Sequence, residues 1–178
     1  MPQPYQMISN LEKFNDLEDA KRIFNLLNAE ENEVVCLFVG GCVRDLIFGK
    51  ELADIDFATS LTPLEIKKKL NANNISFDDH YENYGSIKVF LNNNFYEVNT
   101  LRKDLDHDGR YANVVFTNDW RQDALRRDFT INSIYCDLKG RIYDPFKGID
   151  DLKNGIIRFI GDPVKRIKED YLRALRYF

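Results

Sequence analysis

Six consecutive apolar residues, Val34-Val35-Cys36-Leu37-Phe38-Val39, stop at the pair Gly40-Gly41. A run that short and that rich in β-branched residues reads as a strand buried on both faces. Other layers must cover it, so the chain needs helices or a second sheet on either side. The paired glycines turn it into a short helix, expected over Val43–Phe48 and ending before Gly49. A second short strand is expected over Asp54–Ala58. Thr62-Pro63 opens a further helix, Leu64–Leu70, with Pro in its first turn.

Around this centre the pattern alternates between helix and strand. Leu11, Phe14, Leu17, Ile23, Phe24 and Leu27 recur at helical spacing, with Asn10 as a cap. Ile75–Phe77, Ile87–Leu91 and Phe95–Leu101 are strand candidates, the last two joined by a turn at Asn92-Asn93-Asn94. Residues 102–118 are polar with weak periodicity and read as a mobile loop. Trp120–Arg126 is expected to be helical. Ile134–Asp137 and Arg141–Tyr143 flank Leu138-Lys139-Gly140, a hairpin signal. Residues 162–178 open with Asp-Pro and read as one helix, with Ile167, Leu172, Leu175 and Phe178 on about one face.

Composition narrows the class. The chain has 178 residues, 44% apolar and 30% charged, which suits one compact domain with a short appendage and excludes a disordered chain. No apolar run approaches the ~18 residues of a membrane span. The start, MPQPYQMISNLEKFND, lacks the apolar stretch of a secretory signal. Cys36, Cys42 and Cys136 in apolar surroundings suggest reduced thiols, so a cytoplasmic protein without membrane partners is expected. With only His80 and His107, a His/Cys zinc site is not expected. Net charge is −4, yet residues 139–178 carry 10 basic against 6 acidic side chains, a local basic stretch that can meet a polyanion.

Three constellations carry chemistry. In the first, Gly40 and Gly41 enter a helix after a buried strand, where backbone N–H groups can approach a phosphate, and Arg44 lies one turn on. Asp54 and Asp56 follow, two apart on an expected strand and so on one face. Paired carboxylates there call for a cation, and oxygen ligands alone favour Mg²⁺ shared with substrate phosphates. Glu97, inside the expected apolar strand Phe95–Leu101, is the third carboxylate, where an unpaired charge would be costly. A phosphate cradle beside a carboxylate pair is what metal-dependent nucleotidyl transfer requires. The second constellation is Arg126-Arg127-Asp128-Phe129-Thr130-Ile131-Asn132, which suits triphosphate and ribose contacts and equally suits a salt-bridged surface turn. In the third, Glu169-Asp170-Tyr171-Leu172-Arg173, Asp170 and Arg173 are i,i+3 neighbours that on spacing alone read as an ordinary helix ion pair.

The motifs LFVGGCVRDLIFGKELADIDFAT, YEVNTLR, RRDFTINS and YDPFKGIDDLKNGIIRFIGDPVKRIKEDYLRALRYF, in this order, resemble the class II nucleotidyltransferases, that is, bacterial CCA-adding tRNA nucleotidyltransferases and poly(A) polymerases. The resemblance covers residues 34–178. It implies an α+β fold: a nucleotidyltransferase head of the DNA-polymerase-beta type, with a mixed β-sheet flanked by helices, and the start of a helical neck. The implied organisation is an N-terminal helix (1–30), a catalytic head (31–139) and a head–neck connection with the first neck helix (140–178). Asp54 and Asp56 would hold Mg²⁺ with help from Glu97. Gly40, Gly41 and Arg44 would contact the triphosphate; Arg127 and Asp128, with Asn132 in the same motif, would contact triphosphate and ribose. Asp170 and Arg173 would read the base of CTP or ATP, with Glu169 holding Arg173. An Asp acceptor and an Arg donor can meet the amino group and adjacent acceptor that cytosine and adenine share. The ending resembles the CCA-adding branch more than the poly(A) polymerases. The implied activity is addition of CMP and AMP to the tRNA 3′ end. The family's body and tail have no counterpart in these motifs, so a nucleotide-binding head, inactive by itself or working with a separate body and tail polypeptide, stands as one alternative and a poly(A) polymerase as another.

Overall fold

The computed structural model describes residues 5–7, 17–52, 54–108 and 111–178. Its strands are β1 (Tyr5–Met7), β2 (Cys36–Val39), β3 (Asp56–Thr59), β4 (Ser76–Asp78), β5 (Ser86–Leu91), β6 (Asn94–Thr100), β7 (Arg102–Asp108), β8 (Tyr111–Phe116), β9 (Tyr135–Cys136) and β10 (Arg141–Tyr143). Its helices are α1 (Glu18–Asn28), α2 (Gly41–Ile47), α3 (Pro63–Ala72), α4 (Trp120–Leu125), α5 (Gly148–Lys153), α6 (Pro163–Glu169) and α7 (Leu172–Leu175). The main sheet runs β1-β10-β9-β2-β3-β6-β5-β4. It is mixed: β3 and β6 are parallel, and its other neighbours are antiparallel.

The apolar run does become a central strand. All four residues of β2 are buried. Cys36 and Phe38 pack toward Ile23, Phe24 and Leu27 of α1, Leu46 of α2 and Ile66 and Leu70 of α3, in one core with Phe57 and Val98. Leu37 and Val39 point the other way, to Leu101, Trp120, Ala124 and Tyr135. The α1–β2 joint is clamped by Asn28, whose Nδ2 donates to Phe24 O and Cys36 O and whose Oδ1 accepts from Val35 N and Cys36 N. Leu11, Phe14 and the cap Asn10 lie outside the described residues.

Local signals account for the start of α3 and for the β5–β6 turn. Thr62 and Glu65 form a reciprocal capping box, with Pro63 in the first turn of α3. Asn92 and Asn93 both take left-handed backbone, the requirement of a two-residue hairpin turn with the strand twist. β1 and β10 join the main sheet, so it draws strands from each of the segments 1–30, 31–139 and 140–178.

Three expectations are corrected. Within residues 102–118, Arg102–Asp108 and Tyr111–Phe116 pair antiparallel as β7 and β8, with a register shift between Asp104 and Asp106. Its apolar residues Leu105, Val115 and Phe116 are largely exposed, so no clean alternation marked it. Residues 162–178 are two helices. Asp170 breaks them with extended backbone (φ −152°, ψ 108°), and its Oδ1 accepts from Leu172 N at 3.0 Å; a short acidic side chain competes for backbone donors and favours caps over helix interiors. The packed face there is also charged. Arg166, Glu169 and Arg173 are buried, whereas Leu172, Leu175 and Phe178 are exposed.

Candidate active site

The site opens on the sheet face opposite α1–α3, where β3 and β6 run parallel. Gly40 has φ +81°, a region that penalises any Cβ. Its N–H donates to Ile134 O at 3.2 Å, so its contribution is conformation and closeness rather than a free amide. A Cβ there would sit 3.7 Å from Arg127 Nη1, and one on Gly41 would sit 3.7 Å from Arg44 Nη2. Two guanidiniums therefore lie against the strand–helix turn. Arg44 is oriented by Asp45, through Nε at 2.9 Å and Nη2 at 3.1 Å, and by Asn132 Oδ1 at 3.0 Å.

Asp56 and Glu97 are paired residues in the β3–β6 register. The period of two turns both away from Phe57 and Val98, which belong to the core under α1–α3. Asp54 precedes β3 instead of lying in it, so a strand does not align it with Asp56. It still lines, with Asp56, Glu97, Lys88 and Phe95, one cavity of about 390 Å³. Glu97 is exposed, not embedded in apolar surroundings as expected, because β6 turns Tyr96 and Val98 inward and Glu97 outward. Burial, then the charges of Glu97 and Asp54, push the Asp56 carboxyl up to about 6 against an attraction from Arg127.

Glu97 also lines a second cavity, of about 540 Å³, with Asn99, Arg102, Arg126, Arg127, Asp128, Asn132, Asp170, Arg173 and Arg176. The two constellations after residue 125 thus meet in space. Asp128 Oδ1 accepts from Phe129 N at 2.8 Å and Asn132 Nδ2 at 3.1 Å; its Oδ2 accepts from Arg176 Nε at 2.8 Å. Burial would raise its carboxyl, but the bonds from Arg176 and Asn132 hold it below the ordinary value.

The expected Asp170–Arg173 partnership takes a different form. Arg173 Nη1 donates to Glu169 Oε2 at 2.7 Å, and Asp170 Oδ2 accepts from Arg176 Nη2 at 3.3 Å. The break at Asp170 separates the two, while both line the same cavity.

The residues that hold this wall were not singled out in the sequence. Asp123, 1% exposed, accepts from Arg126 Nε at 2.8 Å, Arg127 Nη2 at 3.2 Å and Tyr135 Oη at 2.8 Å. Burial opposes its charge, but Arg126 and Arg127 outweigh it and hold the carboxyl well below the usual range. Arg166 donates to Ile160 O and Glu169 Oε2 and, through Nη2, to Leu125 O and Arg127 O. It fastens α6 to the end of α4. The i,i+3 and i,i+4 spacings of Asp123 to Arg126 and Arg127, and of Glu169 to Arg166 and Arg173, were the available signal; nothing in them distinguishes a buried network from a solvated one.

Residues 36–158 match the family described as the poly A polymerase head domain. The chain belongs to that family. Among similar proteins of this head-domain family, the mitochondrial CCA tRNA nucleotidyltransferase 1 of zebrafish (Danio rerio) is 47% identical over 150 residues, 84% of this chain and 35% of its own length. The CCA-adding enzyme of Bacillus stearothermophilus, solved in complex with CTP, superposes with a TM-score of 0.77 at 34% identity, over 90% of this chain and 37% of that one. The Thermotoga maritima CCA-adding enzyme, solved with tRNA, gives 0.72 at 25% identity, over 99% and 40%. The α+β head with its mixed sheet is therefore the fold of these enzymes. The chain spans between a third and two-fifths of their length. No described helix is long and apolar enough to cross a membrane.

Proposed function

We propose that this chain carries the nucleotide-transfer site of a CCA-adding tRNA nucleotidyltransferase. Attack of an RNA terminal 3′-oxygen on the α-phosphorus of CTP or ATP would form the new phosphodiester as the bond to pyrophosphate breaks. The supporting observation is the parallel Asp56–Glu97 pair, which joins a carboxylate cavity to an arginine-ringed one through a shared residue.

Among the described residues no three metal-ligating side chains form a ready cage. Mg²⁺ does not demand one, since it is bound through one or two carboxylates together with substrate phosphates. Asp54, Asp56 and Glu97 bring carboxylate oxygens to one cavity, a donor set that fits the ion, so Asp54 and Asp56 would hold it with Glu97 beside them. Bound there, Mg²⁺ would acidify the attacking hydroxyl and stabilise the departing pyrophosphate. The chain's own groups do the rest. Gly40, Gly41, Arg44 and Arg127 receive the triphosphate; Asp128 and Asn132 face the ribose; Asp170 and Arg173, the latter held by Glu169, meet the base.

The assay is incubation with tRNA lacking its 3′ end, CTP, ATP and Mg²⁺. The expected product is CCA, abolished to the level of orders of magnitude in Asp54→Ala or Asp56→Ala; long tails of A alone would replace the CCA reading with poly(A) synthesis, and full activity in either variant would remove the metal role. The chain spans at most two-fifths of the three relatives compared above. The buried free thiols Cys36, Cys42 and Cys136 suit a reducing compartment such as the cytoplasm.

A further inference from the structure

Arg102 opens β7 at the foot of the β7–β8 hairpin and lines the 540 Å³ cavity beside Arg126, Arg127, Arg173 and Arg176. Its backbone N–H reaches Asp123 Oδ1 at 3.4 Å. Its side chain is placed otherwise: Nε and Nη1 are buried from solvent and meet no hydrogen-bond partner among the described residues. The oxygens of Asp123 already accept from Arg126, Arg127 and Tyr135. Asp104 lines the same cavity and attracts the guanidinium without a hydrogen bond. Burial, then the Arg126 charge, push the Arg102 pKa down to about 9. Buried donors are almost always satisfied, and the rare exceptions point to a missing partner. Here that partner must be an acceptor, must be anionic to offset neighbouring arginines, and must reach this cavity. A guanidinium N–H makes charge-assisted hydrogen bonds to phosphate oxygens.

We propose that Arg102 is a phosphate-binding residue of this cavity, its guanidinium donating to the oxygens of a phosphate group. The phosphate comes either from the incoming triphosphate or from the last phosphodiester of the RNA. The proposal rests on the reading of the cavity as the nucleotide site, and it adds to that reading the element at which ligand meets the hairpin.

The test uses Arg102→Met and Arg102→Lys in the full chain. Equilibrium binding of CTP, of pyrophosphate and of an RNA ending in CC is measured beside the thermal midpoint of the ligand-free protein. Losing a charge-assisted donor weakens binding about tenfold or more. The expected result is that loss in Arg102→Met, for CTP and pyrophosphate if the source is the triphosphate, or for RNA alone if it is the phosphodiester. The ligand-free midpoint should hold or rise, because Met removes unpaired donors and like-charge repulsion. A purely structural arginine predicts the opposite, a lower midpoint with unchanged affinity, and that result overturns the proposal. Should midpoint and affinity fall together, Arg102→Lys decides: a restored midpoint without restored affinity supports the phosphate role, and restoration of both overturns it. Transfer at unchanged KM in Arg102→Met overturns this proposal while leaving the transferase reading intact. Arg102-dependent CTP binding without any transfer does the reverse. Absence of all binding by the unmodified chain refutes both.

Discussion

Replacing Asp56 by Asn should stabilise the fold while removing its chemistry. The Asp56 carboxyl has an ordinary value of 3.8 and sits at about 6 in the folded chain, raised by burial and by Glu97 and Asp54. At 1.36 kcal/mol per tenfold change, that difference opposes folding by about 3 kcal/mol when Asp56 is ionised. Water reaches the open cavity and screens part of it, so the expected gain is about 1–3 kcal/mol. For a chain of this size that is a rise in midpoint of roughly 2–10 °C. The sign follows from the direction of the shift. Below pH 4 both states are protonated and no penalty exists. Between about 4 and 6 the unfolded chain releases its proton first, and the native state loses stability as pH rises. Above 6 the penalty is complete. Urea or thermal unfolding of the two proteins, without divalent cations, from pH 4 to 8 should therefore show curves that lie close together near pH 4, separate between 4 and 6 and keep a constant gap above 6, with Asp56→Asn more stable. Added Mg²⁺ should narrow the gap by stabilising only the unmodified chain. Equal stability of the two proteins at pH 8, or a constant difference at every pH, would refute the reasoning.

Two further predictions concern the wall that holds the site. Asp123→Asn leaves Arg126 and Arg127 buried without their shared carboxylate, so unfolding free energy should fall by about 3–5 kcal/mol in denaturant titration. Because the native Asp123 carboxyl is held well below its usual range, its contribution is complete above the ordinary carboxylate pKa and is lost only in strong acid. Glu169→Ala strands Arg166 and Arg173, which both donate to Glu169 Oε2. A stability loss on the order of 3 kcal/mol is expected, together with a narrowed preference between CTP and ATP measured by competitive incorporation; unchanged preference would return Arg173 to a structural role.

Several elements were legible because their signals are local. Asn92 and Asn93 demanded a tight hairpin, Thr62-Pro63 demanded a helix start, and the apolar run to Val39 demanded a covered strand. The same holds for the first constellation: glycines at a strand–helix turn and carboxylates soon after need no distant partner to be noticed. The β7–β8 hairpin was not legible, since Leu105, Val115 and Phe116 are largely exposed and no buried face imposed a period. The terminal helix was misjudged for the complementary reason. The spacing predicts an apolar inner face, yet Leu175 and Phe178 face solvent while Arg166, Glu169 and Arg173 are buried, because the two arginines share Glu169 and donate to the carbonyls of Leu125, Arg126 and Arg127 about forty positions away.

The sequence by itself determined which residue types could hold phosphate and cation, and the order in which they occur. Tertiary structure decided how they meet. The parallel pairing of β3 with β6 sets Glu97 beside Asp56 across 40 intervening positions, a juxtaposition no periodicity encodes. The docking of α6 through Arg166 brings Asp170, Arg173 and Arg176 against the Arg127–Asp128 turn. Burial, which depends on what covers a residue from elsewhere in the chain, is what raised Asp56 and left Arg102 Nε and Nη1 without a hydrogen-bond partner among the described residues.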